Sequence, residues 1–213
     1  MRTQILTALA ATVLTAGLAL AQDSQTLELN GFDSINAGGG YQLVVTVGEA
    51  WSVNLDGDAD DFERLEASVS HGELSLRQRN RLFRRNRGLD LTVRVTMPAV
   101  DGLDFNRGIS AEVSGIDAGA LSLEVSTGAA AEVSGSCGAL DLDLSTGGSL
   151  RARNLVCEAV EVASSTGGEA RVYASESAEV RASTGAVVRI FGNPARRDAR
   201  ASMGGEIRFD RGD

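Results

Sequence analysis

The chain has 213 residues, of which 25 are glycine and only 4% are aromatic. Its formal net charge is −9, and all 20 of its basic residues are arginine. A general nucleic-acid binder needs a basic footprint to neutralise phosphates, so this charge argues against one. The absence of lysine excludes catalysis through a lysine Schiff base.

The N-terminus has the pattern of an export signal. Met1-Arg2 forms a short basic start, residues 5–20 are apolar, and Ala19-Leu20-Ala21 is an A-x-A cleavage site. We therefore predict a signal peptide over residues 1–21. The mature chain would have no transmembrane segment and would be periplasmic, or secreted and associated with the cell surface.

Residues 22–97 are predicted to form an N-terminal β segment that packs on and caps the rest of the chain. Apolar and polar residues alternate over 42–47 and 51–55, as they do in half-buried strands. A short helical turn is expected around residues 60–66. No 20-residue period is visible in this segment.

A basic loop with an apolar tip interrupts that segment at residues 77–87. Such a loop suits an anionic surface such as lipid or glycan, and the alternative is a flexible hairpin loop. The candidate binding residues of this loop are Arg77, Arg79, Arg81, Leu82, Phe83, Arg84, Arg85 and Arg87.

The second half of the chain is organised by a repeated Ser-Thr-Gly tripeptide. The repeats end at Gly128, Gly147, Gly167 and Gly185, so they follow one another by 18 to 20 residues. A fixed period near 20 residues is typical of stacked repeats. Apolar residues on both sides of each tripeptide recur with a spacing of two, which indicates strands and excludes helices.

These features predict an all-β fold, a right-handed parallel β-helix over residues 98–209 with coils of about 19–20 residues. Residues 210–213 would be a tail. The tripeptides would form the corners of the coils, where glycine supplies backbone freedom and the hydroxyl groups can satisfy neighbouring backbone groups.

The two cysteines lie one repeat apart. Cys137 and Cys157 each precede the closing glycine of their own repeat by 10 residues, so they should lie above one another on adjacent coils. Neighbouring parallel strands are about 4.8 Å apart, which suits a disulfide. An exported protein permits this bond, and the alternative is a redox or metal pair.

Two columns of charged residues follow from the same register. The acidic column comprises Asp141, Glu161, Glu179 and Asp198, with Asp143 beside it. It could bind a hard cation or cleave a polysaccharide, or it could be a solvated face neutralised by Arg181 and Arg200.

The arginine column could follow a linear anionic polymer, or it could pair with the acidic column. Its members are Arg151, Arg171, Arg189 and Arg208.

Three segments and the serial corners resemble the head GIN domain of putative auto-transporter adhesins. The segments are Phe32-Asp33-Ser34-Ile35-Asn36, Gly72-Glu73-Leu74-Ser75-Leu76 and Thr96-Met97-Pro98, and the resemblance extends over roughly residues 32–209. It implies a secreted bacterial β-helix domain with an adhesion role assigned by name. It carries no catalytic motif.

We therefore predict an exported, non-enzymatic binding or adhesion module without a cofactor or catalytic residues. Its partner would be an envelope glycan or another anionic surface polymer. The alternatives are a carbohydrate-active lyase or hydrolase that uses the acidic column, and a purely structural spacer of the envelope.

Overall fold

The computed structural model describes residues 23–79 and 88–210. The predicted signal peptide lies outside the described residues, and so do Arg81, Leu82, Phe83, Arg84, Arg85 and Arg87 of the basic loop. The described part contains no helix with the length and hydropathy needed to span a bilayer.

The described residues are almost entirely β. Short strands form the first half, and four strands of 14 to 16 residues dominate the second. The elements are β1 (Asp23–Leu27), β2 (Ser34–Gly38), β3 (Gln42–Val47), β4 (Ser52–Gly57), α1 (Ala59–Phe62), β5 (Leu65–Ser70), β6 (Glu73–Gln78), β7 (Leu91–Met97), β8 (Gly102–Asn106), β9 (Ser110–Val125), β10 (Ala130–Leu144), β11 (Ser149–Ser164), β12 (Glu169–Ala182), β13 (Val187–Phe191), β14 (Arg196–Ala201) and β15 (Glu206–Phe209).

The long strands β9 to β12 stack in parallel, each in register with the next, which confirms the predicted parallel β-solenoid. The pairing of β10 with β9 covers 130–133, 135–137 and 139–144, so each long strand has three straight segments. We call these segments faces one, two and three, in chain order. One turn of the chain around the three faces is one coil.

The parallel stacking extends into the first half of the chain. β2 lies between β6 and β8, and β3 lies between β7 and β9, all four pairings being parallel. The coil formed by β2 and β3 is therefore enclosed between two coils that come later in the sequence.

Antiparallel strands close the N-terminal end of the solenoid. β4 and then β1 extend the sheet of face one beyond β7, and β5 extends the sheet of face three beyond β6. The helical turn expected around residues 60–66 is found as α1, over Ala59–Phe62. The buried Asp61 carboxylate accepts a 2.6 Å hydrogen bond from Arg64 and one of 2.8 Å from the Asp90 backbone N–H.

The interior of the solenoid is filled by the inward residues of all faces. Leu123, Leu142 and Val162 occupy one column of face three and are at most 1% exposed. The next inward column contains Ser164, whose buried hydroxyl has no hydrogen-bond partner, where the other coils have apolar side chains.

Each Ser-Thr-Gly tripeptide forms a tight corner between face three and face one. In the first corner Thr127 and Gly128 both have positive φ, 51° and 72°, and the Ala129 N–H donates to the Ser126 carbonyl over 3.0 Å. Gly147, Gly167 and Gly185 have φ of 73–74° in the equivalent corners.

Among the described residues, no hydrogen bond from a corner Ser or Thr hydroxyl to a backbone group is found. Backbone groups join the coils instead, as where the Gly128 N–H donates to the Thr146 carbonyl over 3.1 Å. In the same way the Gly147 N–H donates to the Thr166 carbonyl, and the Gly167 N–H donates to the Thr184 carbonyl.

Candidate functional site

The disulfide lies on face two and confirms the register of the coils. Cys137 and Cys157 are direct partners in the β10–β11 pairing, with a Cα–Cα distance of 4.5 Å. In the same column the neighbouring coils carry Ala118 and Ala174. This bond ties adjacent coils together, and it leaves neither cysteine as a free thiol in this structure.

The arginine column runs along face one. Arg151, Arg171, Arg189 and Arg208 are paired in that order through β11, β12, β13 and β15. Parallel strands are about 4.8 Å apart, so the column carries one guanidinium per coil over four successive coils.

The arginines of this column differ in their ion pairs. Arg171 pairs with Glu169 over 2.8 Å, and Arg208 pairs with Glu206. Within the described residues, Arg151 and Arg189 make no ion pair. The arginine column therefore does not pair with the acidic column, which lies on face three.

Two aromatic rings follow the arginine column along the strands, where face one passes into face two. Tyr173 and Phe191 are partners in the β12–β13 pairing, and both are half-buried. The guanidinium of Arg153 lies over the Phe191 ring, 4.8 Å from its centroid. Sequence reasoning missed these rings, although each lies six residues after a corner glycine, in one outward column.

The acidic column borders an open groove on face three. Asp141, Glu161, Glu179 and Asp198 follow one another in register. The groove has a volume of about 960 Å³, and its floor is a column of small residues that comprises Ala120, Ala139, Ala159 and Ser177.

Arginines neutralise the C-terminal half of the acidic column. Arg181 donates to Glu161 over 2.9 Å and also pairs with Glu179, and Arg200 pairs with Asp198 over 2.9 Å. The hydrogen bond to Glu161 and the charge of Glu179 raise the pKa of Arg181. This half therefore matches the interpretation of a solvated, charge-balanced face.

The N-terminal half of face three is a ladder of carboxylates, in which Asp104 accepts hydrogen bonds from Asn36 and Asn106. Asp104, Glu124 and Asp143 are successive partners, and no arginine pairs with them among the described residues. Partial desolvation raises the pKa of Glu124, although the residue is exposed, and the charges of Asp104 and Asp143 raise it further. Protonation of Glu124 therefore relieves repulsion within this ladder.

The acidic side chains that were considered as cation ligands do not form a metal centre. Across residues 23–79 and 88–210, no group of three or more His, Cys, Asp or Glu side chains is arranged to hold a metal ion. Asp141, Glu161 and Glu179 lie instead in the acidic column, where Arg181 pairs with Glu161 and Glu179, and Asp143 lies in the carboxylate ladder.

Two residues of the basic loop lie in the described part of the chain. Arg77 is the last residue of β6 to pair with β2. The Arg79 side chain pairs with Glu66 over 2.5 Å. The backbone N–H of Arg79 donates to the Arg64 carbonyl over 2.8 Å. These contacts hold the start of the loop against β5.

Comparison with solved structures shows the fold. A putative adhesin from Bacteroides fragilis superposes with a TM-score of 0.71 at 17% sequence identity, covering 90% of this chain and 98% of that one. A putative adhesin from Parabacteroides distasonis superposes with a TM-score of 0.54 at 12% identity, covering 89% and 97%. A search of curated proteins finds no match.

Comparison with family models identifies the family of this sequence. The model described as "Putative auto-transporter adhesin, head GIN domain" matches residues 31–194. This match spans the coils from β2 to β13 and includes the disulfide, the acidic column up to Glu179 and three of the four column arginines. The chain therefore belongs to the family described as "Putative auto-transporter adhesin, head GIN domain".

Proposed function

We propose that the protein is an exported, non-enzymatic adhesion module that binds a linear anionic surface polymer along the arginine column of face one. The observation that carries this proposal is the in-register stack of Arg151, Arg171, Arg189 and Arg208. Its repeat of about 4.8 Å follows from strand spacing. A straight polymer along the solenoid axis would meet a guanidinium at each of these four coils.

The chemistry of the column suits carboxylate, sulfate or phosphate groups. A guanidinium presents a planar fork of donors that binds such groups through two parallel hydrogen bonds. Arg151 and Arg189 make no ion pair among the described residues, so a ligand would not have to break one at these positions. The charges of Arg171 and Arg208 are offset by Glu169 and Glu206.

The aromatic rings favour a sugar polymer over a polymer without rings. Tyr173 and Phe191 present half-buried apolar surface beside the arginines, and such surface can pack against the carbon-bound hydrogens of a sugar ring. Five arginines, two glutamates and Asp210 lie on this part of the surface, so its local charge is positive although the whole chain is acidic. An acidic polysaccharide combines both features.

The test is binding of the purified protein to dextran sulfate and polygalacturonate, with unsubstituted dextran as the neutral reference. We expect the double variant Arg151→Gln/Arg189→Gln to bind the anionic polymers roughly tenfold more weakly, since two charge-assisted contacts are lost. Binding by the native protein should weaken as salt is added.

Arg94→Gln is the matched control. Arg94 lies in the same outward column as the four arginines, but beyond Val44, Glu112 and Glu132, and it pairs with Asp56 over 2.9 Å. Its loss should leave binding unchanged. Equal binding of dextran and dextran sulfate, or full binding by the double variant, would contradict the proposal.

A carbohydrate-active enzyme that uses the acidic column is favoured less. General acid catalysis needs a protonated carboxyl group, whereas Glu161 and Glu179 are held in ion pairs with Arg181. We expect no turnover of polygalacturonate, and we expect Asp141→Asn to bind it as the native protein does. Turnover that disappears in this variant would support the enzyme instead.

A further inference from the structure

The C-terminal end of the solenoid has an open sheet edge. β14 is the last strand of face three and pairs in parallel with β12. No described residue pairs with its other edge. Along such an edge the N–H and C=O groups of every second residue point away from the sheet, ready to pair with another strand.

Apolar side chains are uncovered at the same end. Ala199 and Ala201 are in register with Val180 and Ala182, which are 0% and 1% exposed, yet both alanines are exposed. Met203, in the corner that follows, is 78% exposed. The inward columns of face three thus continue to this end without a cover in the described part of the chain.

The charges of β14 determine which strand could cover it. In an antiparallel pair related by a twofold axis, the central residue faces its own copy and its neighbours face each other across the axis. A pair centred on Arg197, Asp198 or Arg200 would set like charges against each other, which is destabilising.

A pair of strands centred on Ala199 sets opposite charges against each other. Asp198 then faces Arg200 of the second copy, and Arg200 faces Asp198 of the second copy. Within one chain these side chains already contact each other over 2.9 Å on the outward side of β14. The four charges would alternate along the junction, and the alanines would continue the core across it.

We propose that β14 pairs with β14 of a second copy of this chain, antiparallel and centred on Ala199, to form a closed end-to-end dimer. The contact is the same on both copies, so assembly stops at two. β14 lies beyond residues 31–194, the part that matches the family model. It is also separate from the arginine column of face one, so the proposal does not depend on polymer binding.

The test is sedimentation velocity of the purified protein over a range of concentrations. We expect a monomer–dimer equilibrium for the native chain. Asp198→Arg alone and Arg200→Asp alone should each weaken the dimer by roughly tenfold or more, because each places like charges in both facing pairs. An equimolar mixture of the two variants should recover the dimer, since opposite charges then face each other in both pairs.

Glu112→Arg is the control for the charge change, because Glu112 lies on face one, in the middle of the stack. It should leave the dimer unchanged. Circular dichroism would confirm that each variant is folded.

Three results would contradict a dimer formed through β14, whatever its register. They are a native chain that stays monomeric at all concentrations, a dimer that both single variants retain, and open polymers in place of a dimer. Polymers would indicate pairing of β14 with the β5 edge at the other end. Failure of the mixture to recover the dimer would exclude the register centred on Ala199.

Discussion

The corner threonines are the most unusual residues of the fold. Thr127, Thr146, Thr166 and Thr184 all have φ of 49–52°, a region that β-branched residues rarely adopt. Each such residue costs about 1–2 kcal/mol, and the backbone hydrogen bonds between successive corners offset part of that cost. The tripeptide predicts a corner, but the division of positive φ between Thr and Gly depends on the stacking of the coils.

The hydrogen bonding of Ser164 is a second feature that the sequence does not reveal. The alternation of apolar and polar residues along β11 predicts that Ser164 points inward. In the structure Ser164 is 3% exposed, and its hydroxyl has no hydrogen-bond partner. The equivalent residues of neighbouring coils are Leu144 and Ala182. Only the three-dimensional structure shows that no acceptor is within reach.

We predict that Ser164→Ala stabilises the protein by about 1 kcal/mol, because it removes a buried polar group that makes no hydrogen bond. The measurement is the free energy of unfolding from chemical denaturation. Ser165→Ala, at the half-exposed corner position next in the chain, is the control and should change stability by less than about 0.5 kcal/mol. A destabilised Ser164→Ala variant would show that the hydroxyl has a partner.

At the scale of the elements, the period near 20 residues explains why β9 to β12 could be predicted in register. Once the corner glycines are aligned, Cys137 falls on Cys157 and Arg151 falls on Arg171, as the structure has them. The position of the β2–β3 coil could not be predicted in this way. Its pairing with β6 and β8 joins segments with no shared period, and such long-range parallel contacts leave no local pattern.

The disulfide links two elements that already pair, so its removal should weaken the fold without changing it. We predict that Cys137→Ala/Cys157→Ala lowers the free energy of unfolding by about 3 kcal/mol, as expected for a closed loop of this length; the sequence separation is 20 residues. Alanine already occupies this column at Ala118 and Ala174, so packing should tolerate it.

Denaturation of the oxidised, the reduced and the double-alanine protein measures this effect. The reduced protein and the variant should unfold at similar denaturant concentrations, below that of the oxidised protein. Equal midpoints for all three would mean that the bond contributes nothing to stability.

At the scale of the whole molecule, the acidic charge is unevenly distributed. Face one is locally positive near its C-terminal end. On face three, Arg181 and Arg200 balance the acidic charge of the C-terminal half. The N-terminal half of face three has Asp104, Glu124 and Asp143 in a row. The columns follow from the sequence register. Which half is neutralised depends on side-chain reach between neighbouring columns, as where Arg181 contacts Glu161 and Glu179.

The carboxylate ladder should make stability depend on pH through Glu124. Its pKa is raised in the folded protein, from 4.5, by burial first and then by Asp104 and Asp143. The folded state therefore binds the proton more tightly than the unfolded state does. Its stabilising contribution is complete below pH 4.5 and is lost as the pH rises through the folded pKa.

We predict that Glu124→Gln is more stable than the native protein at pH 7 by about 0.5 kcal/mol, since the side chain is exposed and its repulsion is screened. The difference should shrink towards zero as the pH falls below 4.5, and added salt should reduce it at pH 7. Thermal or chemical denaturation between pH 4 and pH 7 measures the difference. Glu158→Gln is the control, because Glu158 is an exposed carboxylate between faces two and three. A difference that does not change with pH would show that repulsion within the ladder is not its source.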